Sequence, residues 1–325
     1  MLQSDRFDTR PKVKKNKLNI LPDNPEVDDS TGAVGRGRFP SWLHRKLPKG
    51  GNLKKTGNVI SDNRLHTVCE EAKCPNLLEC WSKKTATFLI MGKECTRACG
   101  FCDIDFNKAP KPLEADEPER VADSVKKLGL KHVVITMVAR DDLPNQGAEH
   151  IVNVIEAVRG IDPSITVEVL TSDFQGDYSA LDIVLNARPE IFNHNLETVR
   201  ALTHRVRNKA TYDRSLQILR HAHAFAKEHG MFVKSGLMLG LGETQEQVEE
   251  AIRDLHSIGC DIITMGQYLQ PNHKKLLVKE FITPALFKHY EEYGYRTGVK
   301  QMYCGPFIRS SYNADMVIEK IRNKG

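Results

Sequence analysis

The stretch ATFLIMGKECTRACGFC, residues 86–102, carries an apolar run straight into a group of thiols. Residues 86–91 are short, continuous and apolar, the pattern of a strand buried on both faces. Cys95, Cys99 and Cys102 then fall in the loop that follows it. Further along, helical and strand patterns alternate. Glu117–Leu128 reads as a helix with Pro118 in its first turn, and HVVIT (132–136) as a strand. Residues 147–159 read as a helix, 165–170 as a strand, Tyr178–Asn186 as a helix and Ile191–Asn193 as a short strand. Residues 212–228 form a long helix stopped by Gly230, and 232–238 a strand. Residues 244–258 form a helix with Thr244 and Gln247 placed as a capping box, and 261–265 a strand. Residues 284–293 and 313–322 also look helical.

Strands beginning near 86, 132, 165, 191, 232 and 261 give six βα units, which require parallel strands and right-handed crossovers. Six such units fit either a doubly wound sheet or an incomplete barrel, and period alone does not separate the two. In both, the active site lies at the C-terminal edge of the strands. The thiol loop sits at that edge. Residues 1–65 read as an arm: 23–38 are rich in Asp, Gly and Pro without a period, Trp42 is one of two tryptophans, and 49–52 mark a turn.

The chain has 325 residues, 40% of them hydrophobic, enough for a sizeable core. No apolar run approaches 18 residues, which excludes a spanning helix, and the first 30 residues carry no block of signal-peptide type. The net charge of +5 is front-loaded, with 13 Lys/Arg against 6 Asp/Glu in residues 1–55. Such an excess suits nucleic acid, a membrane surface, an acidic protein or plain solvent. No P-loop, GxSxG or HExxH signature is present, so nucleotide hydrolysis, serine hydrolysis and zinc proteolysis lose their usual marks.

Six of the eight cysteines lie between Cys69 and Cys102. In a chain of this size without a secretion signal, clustered thiols point to metal or redox chemistry. Three thiolates at C-x3-C-x2-C hold three irons of a cubane and leave the fourth open. A zinc site needs a second ligand pair that the sequence does not offer at the usual spacing, and incidental thiols are the third reading. Cys69, Cys74 and Cys80, at C-x4-C-x5-C, match neither a zinc knuckle nor a ferredoxin, and three buried core thiols read equally well. Cys260 and Cys304 read as core.

Taken together these motifs resemble a known family. CTRACGFC (95–102) is similar to the motif of the radical S-adenosylmethionine (SAM) superfamily, with an aromatic residue before the third cysteine. VCEEAKCPN (68–76), ARDDLP (139–144), FNHNLETV (192–199), GLMLGLGE (236–243), YLQP (268–271) and RSSY (309–312) resemble segments of the lipoyl synthases, over about residues 40–318. The resemblance implies an incomplete (β/α)6 TIM-type barrel, with N-terminal and C-terminal extensions covering its mouth. It implies an arm over 1–65, an auxiliary-cluster segment over 66–85, a partial barrel over 86–270 and a C-terminal extension over 271–325. It also implies two 4Fe–4S clusters, one held by Cys95, Cys99 and Cys102 and one by Cys69, Cys74, Cys80 and Ser311. On the residues alone, Ser311 would be a helix cap.

The implied reaction inserts sulfur at C6 and C8 of an octanoyl group on a carrier lysine. Two SAM molecules are consumed per product, and the auxiliary cluster donates the sulfur. Thr136, Asn193, Asn195, Glu197, Gly240 and Glu243 are the candidate SAM contacts; Arg140 and Arg309 belong to the substrate or cluster neighbourhood. The implied partners are an octanoylated lipoyl domain and a reductant such as flavodoxin or ferredoxin. The carrier would be an acyltransferase subunit of a 2-oxoacid dehydrogenase or the glycine-cleavage H protein. The basic arm and Trp42 are expected to meet this carrier, with no nucleic acid and no membrane insertion. The expected location is a bacterial cytoplasm, with the mitochondrial matrix left open. Two rivals stand beside this reading: another radical enzyme making C–S bonds, and a zinc-stabilised nucleic-acid-binding protein.

Overall fold

The computed structural model describes residues 39–44 and 52–311. Helix α1 (Asn52–Asp62) leads into strand β1 (His66–Thr67) and the short helices α2 (Val68–Glu71) and α3 (Leu77–Ser82). Strand β2 (Thr87–Ile90) is followed by two short strands, β3 (Glu94–Cys95) and β4 (Asp105–Phe106). Then come α4 (Glu117–Leu128), β5 (His132–Met137), α5 (Ala148–Ile161), β6 (Thr166–Leu170), α6 (Tyr178–Asn186) and β7 (Ile191–Asn193). The chain continues through α7 (Thr203–Val206), α8 (Tyr212–His229), β8 (Phe232–Leu239), α9 (Gln245–Ser257), β9 (Ile262–Gln267), α10 (Pro284–Thr297) and β10 (Gln301–Cys304).

The main sheet runs β1-β2-β5-β6-β7-β8-β9-β10, with β1 antiparallel on β2 and every later pair parallel. Strand order follows chain order without the reversal that a doubly wound sheet requires. The sheet is therefore wound one way, as in a TIM-type barrel, and its ends at β1 and β10 are not paired with each other. All six strands expected from the sequence are present. A seventh parallel strand, β10, adds to them from within the C-terminal extension.

The helices form for local reasons. Helix α4 buries Val121, Val125 and Leu128 on one face, begins with Pro118 in its first turn and ends at Gly129 in the left-handed region. The capping box of Thr244 and Gln247 opens α9 as the spacing predicts. Val133 and Ile135 of β5 and Val167 and Val169 of β6 pack in one core with the helices. The alternate residues of these strands face the barrel interior. Residues 52–62, expected as part of an arm, fold as α1: Ile60 is buried in that core and the Thr56 hydroxyl donates to Trp81 O at 2.9 Å. The helix expected over 313–322 and residues 1–38 lie outside the described residues.

The barrel interior contains charge. Glu168 and Lys234 are fully buried and paired, with Lys234 Nζ 3.0 Å from both carboxylate oxygens. Asn193 Nδ2 donates to Glu168 Oε1 at 2.8 Å, and His132 Nδ1 bonds Thr166 Oγ1 at 2.8 Å beside them. A buried ion pair persists when each partner is this well bonded.

Candidate active site

The loop carrying Cys95, Cys99 and Cys102 starts with two residues in the left-handed region, Met91 (φ 69°) and Gly92 (φ 82°), which turn the chain sharply at the end of β2. It is closed at its base by the β3–β4 pair and by Asn107 N–H donating to Cys95 O at 3.0 Å. Neighbouring elements hold its backbone. Gly100 N–H donates to Val206 O and Gly100 O accepts from Leu276 N–H, both at 3.0 Å; Thr96 N–H donates to Ala139 O at 2.9 Å. Inside the loop, Arg97 is almost wholly buried and reaches Asp141 (2.7 Å) and Asp173 (2.6 Å). Burial alone would raise the Asp173 carboxyl, but the Arg97 guanidinium overrides it and holds the group down at about 2.

The second triad is built on α2 and α3. Thr67 caps α2, accepting from Glu70 N–H, and places Cys69; the tight chain from Cys74 to Asn76 then starts α3, which carries Cys80. The C-terminal segment reaches the same place. Asn76 Nδ2 donates to Phe307 O at 2.7 Å, joining this segment to the residues just beyond β10. Asn195 Nδ2 donates to Ser310 Oγ at 3.1 Å. The extensions thus meet across the open side of the barrel, next to the strand ends.

Gly266 of β9 makes that approach feasible, since a Cβ there would lie 1.9 Å from Ile308 O and 2.7 Å from Arg309 Nη1. Replacing Gly266 with Ala is expected to push the 308–311 segment off the sheet. If the two triads hold iron, that at Cys69, Cys74 and Cys80 should then become extractable by a chelator several-fold faster, with that at the other triad little changed. Chelator kinetics followed by absorbance would check this.

Both triads line one cavity of about 350 Å³, together with Ser311, Arg309, Thr136, Asn195 and Glu197. Val134, Leu170, Leu237 and Met238 give it apolar walls. Four other candidates stand behind it. Asn193 is bonded to Glu168 in the interior. Glu243 accepts from the backbone N–H groups of Gly240 and Leu241, so it closes the turn that Gly240 makes. Arg140 is buried, paired with Asp142 at 2.8 Å, and donates to Met91 O at 3.5 Å, which ties the thiol loop's entry to the strand end. None of these four is among the cavity-lining residues. Cys260 and Cys304 are not either, which agrees with the core reading.

The structure adds residues that motif reading did not single out. Arg97 and Asp173 are one such pair. Arg207, buried in the cavity wall, donates to Asn195 O (3.1 Å), Leu196 O (3.0 Å) and Ser215 Oγ (3.1 Å). Burial raises the Glu197 carboxyl and the nearby Arg207 charge opposes that rise. His194 is held neutral: burial and then the Arg207 charge lower it to about 4, and its two nitrogens bond Thr171 O and Ser215 Oγ.

The thiols suit an iron cluster. Burial pushes Cys69 and Cys102 up to about 12 and Cys99 up to about 11. A thiolate at these places needs strong positive charge beside it, which iron supplies. Among the described residues, no three His, Cys, Asp or Glu side chains are gathered to share a single metal ion. A cubane spreads its cysteines over separate irons and does not need them so close.

The description "Radical SAM superfamily" matches residues 89–255. Streptococcus suis SuiB bound to S-adenosylmethionine shares the fold, with a TM-score of 0.54 at 14% identity over 70% of this chain and 53% of SuiB. The same protein bound to precursor peptide SuiA gives a TM-score of 0.52 at 16% identity, over 67% of this chain and 48% of that one. The chain thus spans about half of SuiB. A one-way open barrel with this thiol loop at its strand ends makes the protein a radical SAM enzyme.

The description "N-terminal domain of lipoyl synthase" matches residues 9–74. The lipoyl synthase of Protochlamydia amoebophila is 64% identical over 96% of each chain. That of Chlamydia trachomatis serovar D is 48% identical over 88% of this chain and 91% of its own. The chain belongs to the lipoyl synthase family. Its activity is the radical-mediated insertion of two sulfur atoms into an octanoyl group, and its cofactors are SAM and 4Fe–4S clusters. No helix among the described residues is long and apolar enough to cross a membrane.

Proposed function

We propose that Cys95, Cys99 and Cys102 hold the cluster that works with SAM, and that Cys69, Cys74, Cys80 and Ser311 hold the cluster that is the sulfur source. The observation that carries this is the single cavity lined by both triads and by Ser311. When bound, these groups supply a 5′-deoxyadenosyl radical for hydrogen abstraction and sulfide for the carbon–sulfur bonds. The protein's part is to hold, orient and exclude water.

Thr136, Asn195 and Glu197 line the space beside the first triad and meet the polar groups of SAM. Asn193, Gly240 and Glu243 act from behind by fixing the strand ends. Val134, Leu170, Leu237 and Met238 receive a hydrocarbon chain and keep out water that would quench a radical. Arg309 lies at the auxiliary side, and Arg140 keeps the entry of the thiol loop in place. Ser311 supplies an oxygen ligand, a poorer match to iron than thiolate, in a cluster that must give up atoms.

The chain divides into an arm that ends before α1, helix α1 packed on the core, an auxiliary segment (66–85), the barrel (86–270) and a C-terminal extension (271–325) that lends β10 to the sheet. The substrate is an octanoylated lipoyl domain, of the 2-oxoacid dehydrogenase acyltransferase or of the glycine-cleavage H protein. Flavodoxin or ferredoxin supplies electrons, and the reaction takes place in the cytoplasm. The test is one turnover by protein whose clusters were rebuilt with isotopically labelled sulfide. Mass spectrometry should find the label at both C6 and C8; unlabelled sulfur in the product would refute the donor assignment.

A further inference from the structure

The residues flanking two of the proposed ligands meet each other. Lys73 directly precedes Cys74, and Asp103 directly follows Cys102. Lys73 Nζ lies 2.7 Å from Asp103 Oδ2, so an ion pair joins the loop of one triad to the loop of the other. The second carboxylate oxygen, Asp103 Oδ1, accepts from Asn272 Nδ2. Asn272 belongs to the segment whose Leu276 N–H donates to Gly100 O, in the middle of the first thiol loop. Asp103 is therefore a junction of three segments, and its side chain is only 9% exposed.

Lys73 stands in the left-handed region (φ 49°), an uncommon conformation for a residue other than glycine. Such a conformation persists where its surroundings fix it. Here the ion pair and the Lys73 N–H bond to Glu70 O do so. The chemistry gives the junction its meaning. One octanoyl chain must present two carbons, two bonds apart, both to the radical and to the sulfur source. The separation and tilt of the two thiol loops must then hold through both insertions.

We infer that Asp103, acting through Lys73, is a positioning residue that sets the spacing between the two cluster loops, and that the second sulfur insertion depends on it. This rests on the triad assignment proposed above. The pair is half-exposed on the lysine side. Its loss should therefore shift geometry by a modest amount and leave the fold intact.

The test compares wild-type holoenzyme with Lys73→Met, with Asp103→Asn, and with the reversed pair Lys73→Asp/Asp103→Lys. Aspartate tolerates the left-handed region, and the Asn272 amide can turn to accept from a lysine. Two readouts are taken: the magnetic interaction between the two reduced clusters by electron paramagnetic resonance, and the fraction of product carrying one sulfur.

Both single variants should keep about eight iron per chain, the sum for two cubanes. Each should show an altered magnetic interaction and a roughly threefold larger singly sulfurated fraction, the effect expected for a partly exposed pair. The reversed pair should return both readouts toward wild type. Unchanged readouts in the single variants would overturn the inference, as would a reversed pair no better than either. Loss of iron from a single variant would overturn it too, because the pair would then retain a cluster and not space it. Failure of the triad assignment is seen separately, as a wild type with one cluster signal and no interaction at all.

Discussion

Replacing Arg97 with Met is expected to destabilise the protein by about 3 kcal/mol, because it strands a buried carboxylate. Asp173 is fully buried and Arg97 is 2.6 Å from it. Breaking a buried pair from one side costs about 3–5 kcal/mol. The lower end applies here because Arg214 still stands 3.2 Å from the other oxygen. The functional loss should exceed the thermodynamic one. Arg97 lies between Cys95 and Cys99, and its guanidinium binds Asp141 from beyond β5 and Asp173 from beyond β6 at once. Without it the thiol loop loses its tie to two strand ends. Arg97→Lys should fail nearly as badly, since one ammonium cannot serve two carboxylates with a planar fork.

Denaturant unfolding and the iron retained after gel filtration would check both statements. A variant with wild-type iron and stability would contradict them. The sign of the pH effect follows from the same pair. Asp173 titrates below an unfolded carboxyl, so its stabilisation is complete above pH about 4. That stabilisation is lost as the pH falls through about 2.

Replacing Lys234 with Met should be at least as damaging, at about 3–5 kcal/mol, a fall in the unfolding midpoint of roughly 4–7 °C. Lys234 is 1% exposed and Glu168 not at all, and among the described residues no other lysine or arginine is paired with Glu168; His132 Nε2 stands 3.9 Å away. The informative comparison is the double variant Lys234→Met/Glu168→Gln. Removing both charges removes the stranded one, so the double variant should recover more than half of the loss. Calorimetry on the three proteins would decide; a double variant as unstable as the single one would show that the cost comes from packing and not from charge.

The sequence makes some of this architecture readable and hides the rest for physical reasons. Strands such as HVVIT and helices such as Tyr178–Asn186 announce themselves through apolar period and end signals, and the structure has them where expected. The six clustered thiols and their loop position are equally plain, because cysteine is rare and its spacing is informative. Strand β10 is only four residues long, and its identity comes from pairing with β9, which is not a local property. Helix α1 lies in a stretch that begins with glycines and lysines, and it owes its order to Trp81 and the barrel core. Charge pairs leave no period at all. Arg97 with Asp173, Lys234 with Glu168 and Lys73 with Asp103 are each separated by 30 or more positions. The ARDDLP segment shows the difference: its likeness put the loop near the site, and only the structure shows Asp141 gripping Arg97 while Arg140 faces away.

The bond from Asn76 to Phe307 spans 231 positions. A growing chain that has emerged only as far as β9 already possesses the loop of Cys95, Cys99 and Cys102 and most of the partners that pin it, among them Ala139, Asp141, Asp173 and Val206, yet it lacks Asn272, Leu276 and the 305–311 segment. The side of the cavity beside Cys69, Cys74 and Cys80 is therefore completed later in synthesis than the loop of Cys95, Cys99 and Cys102.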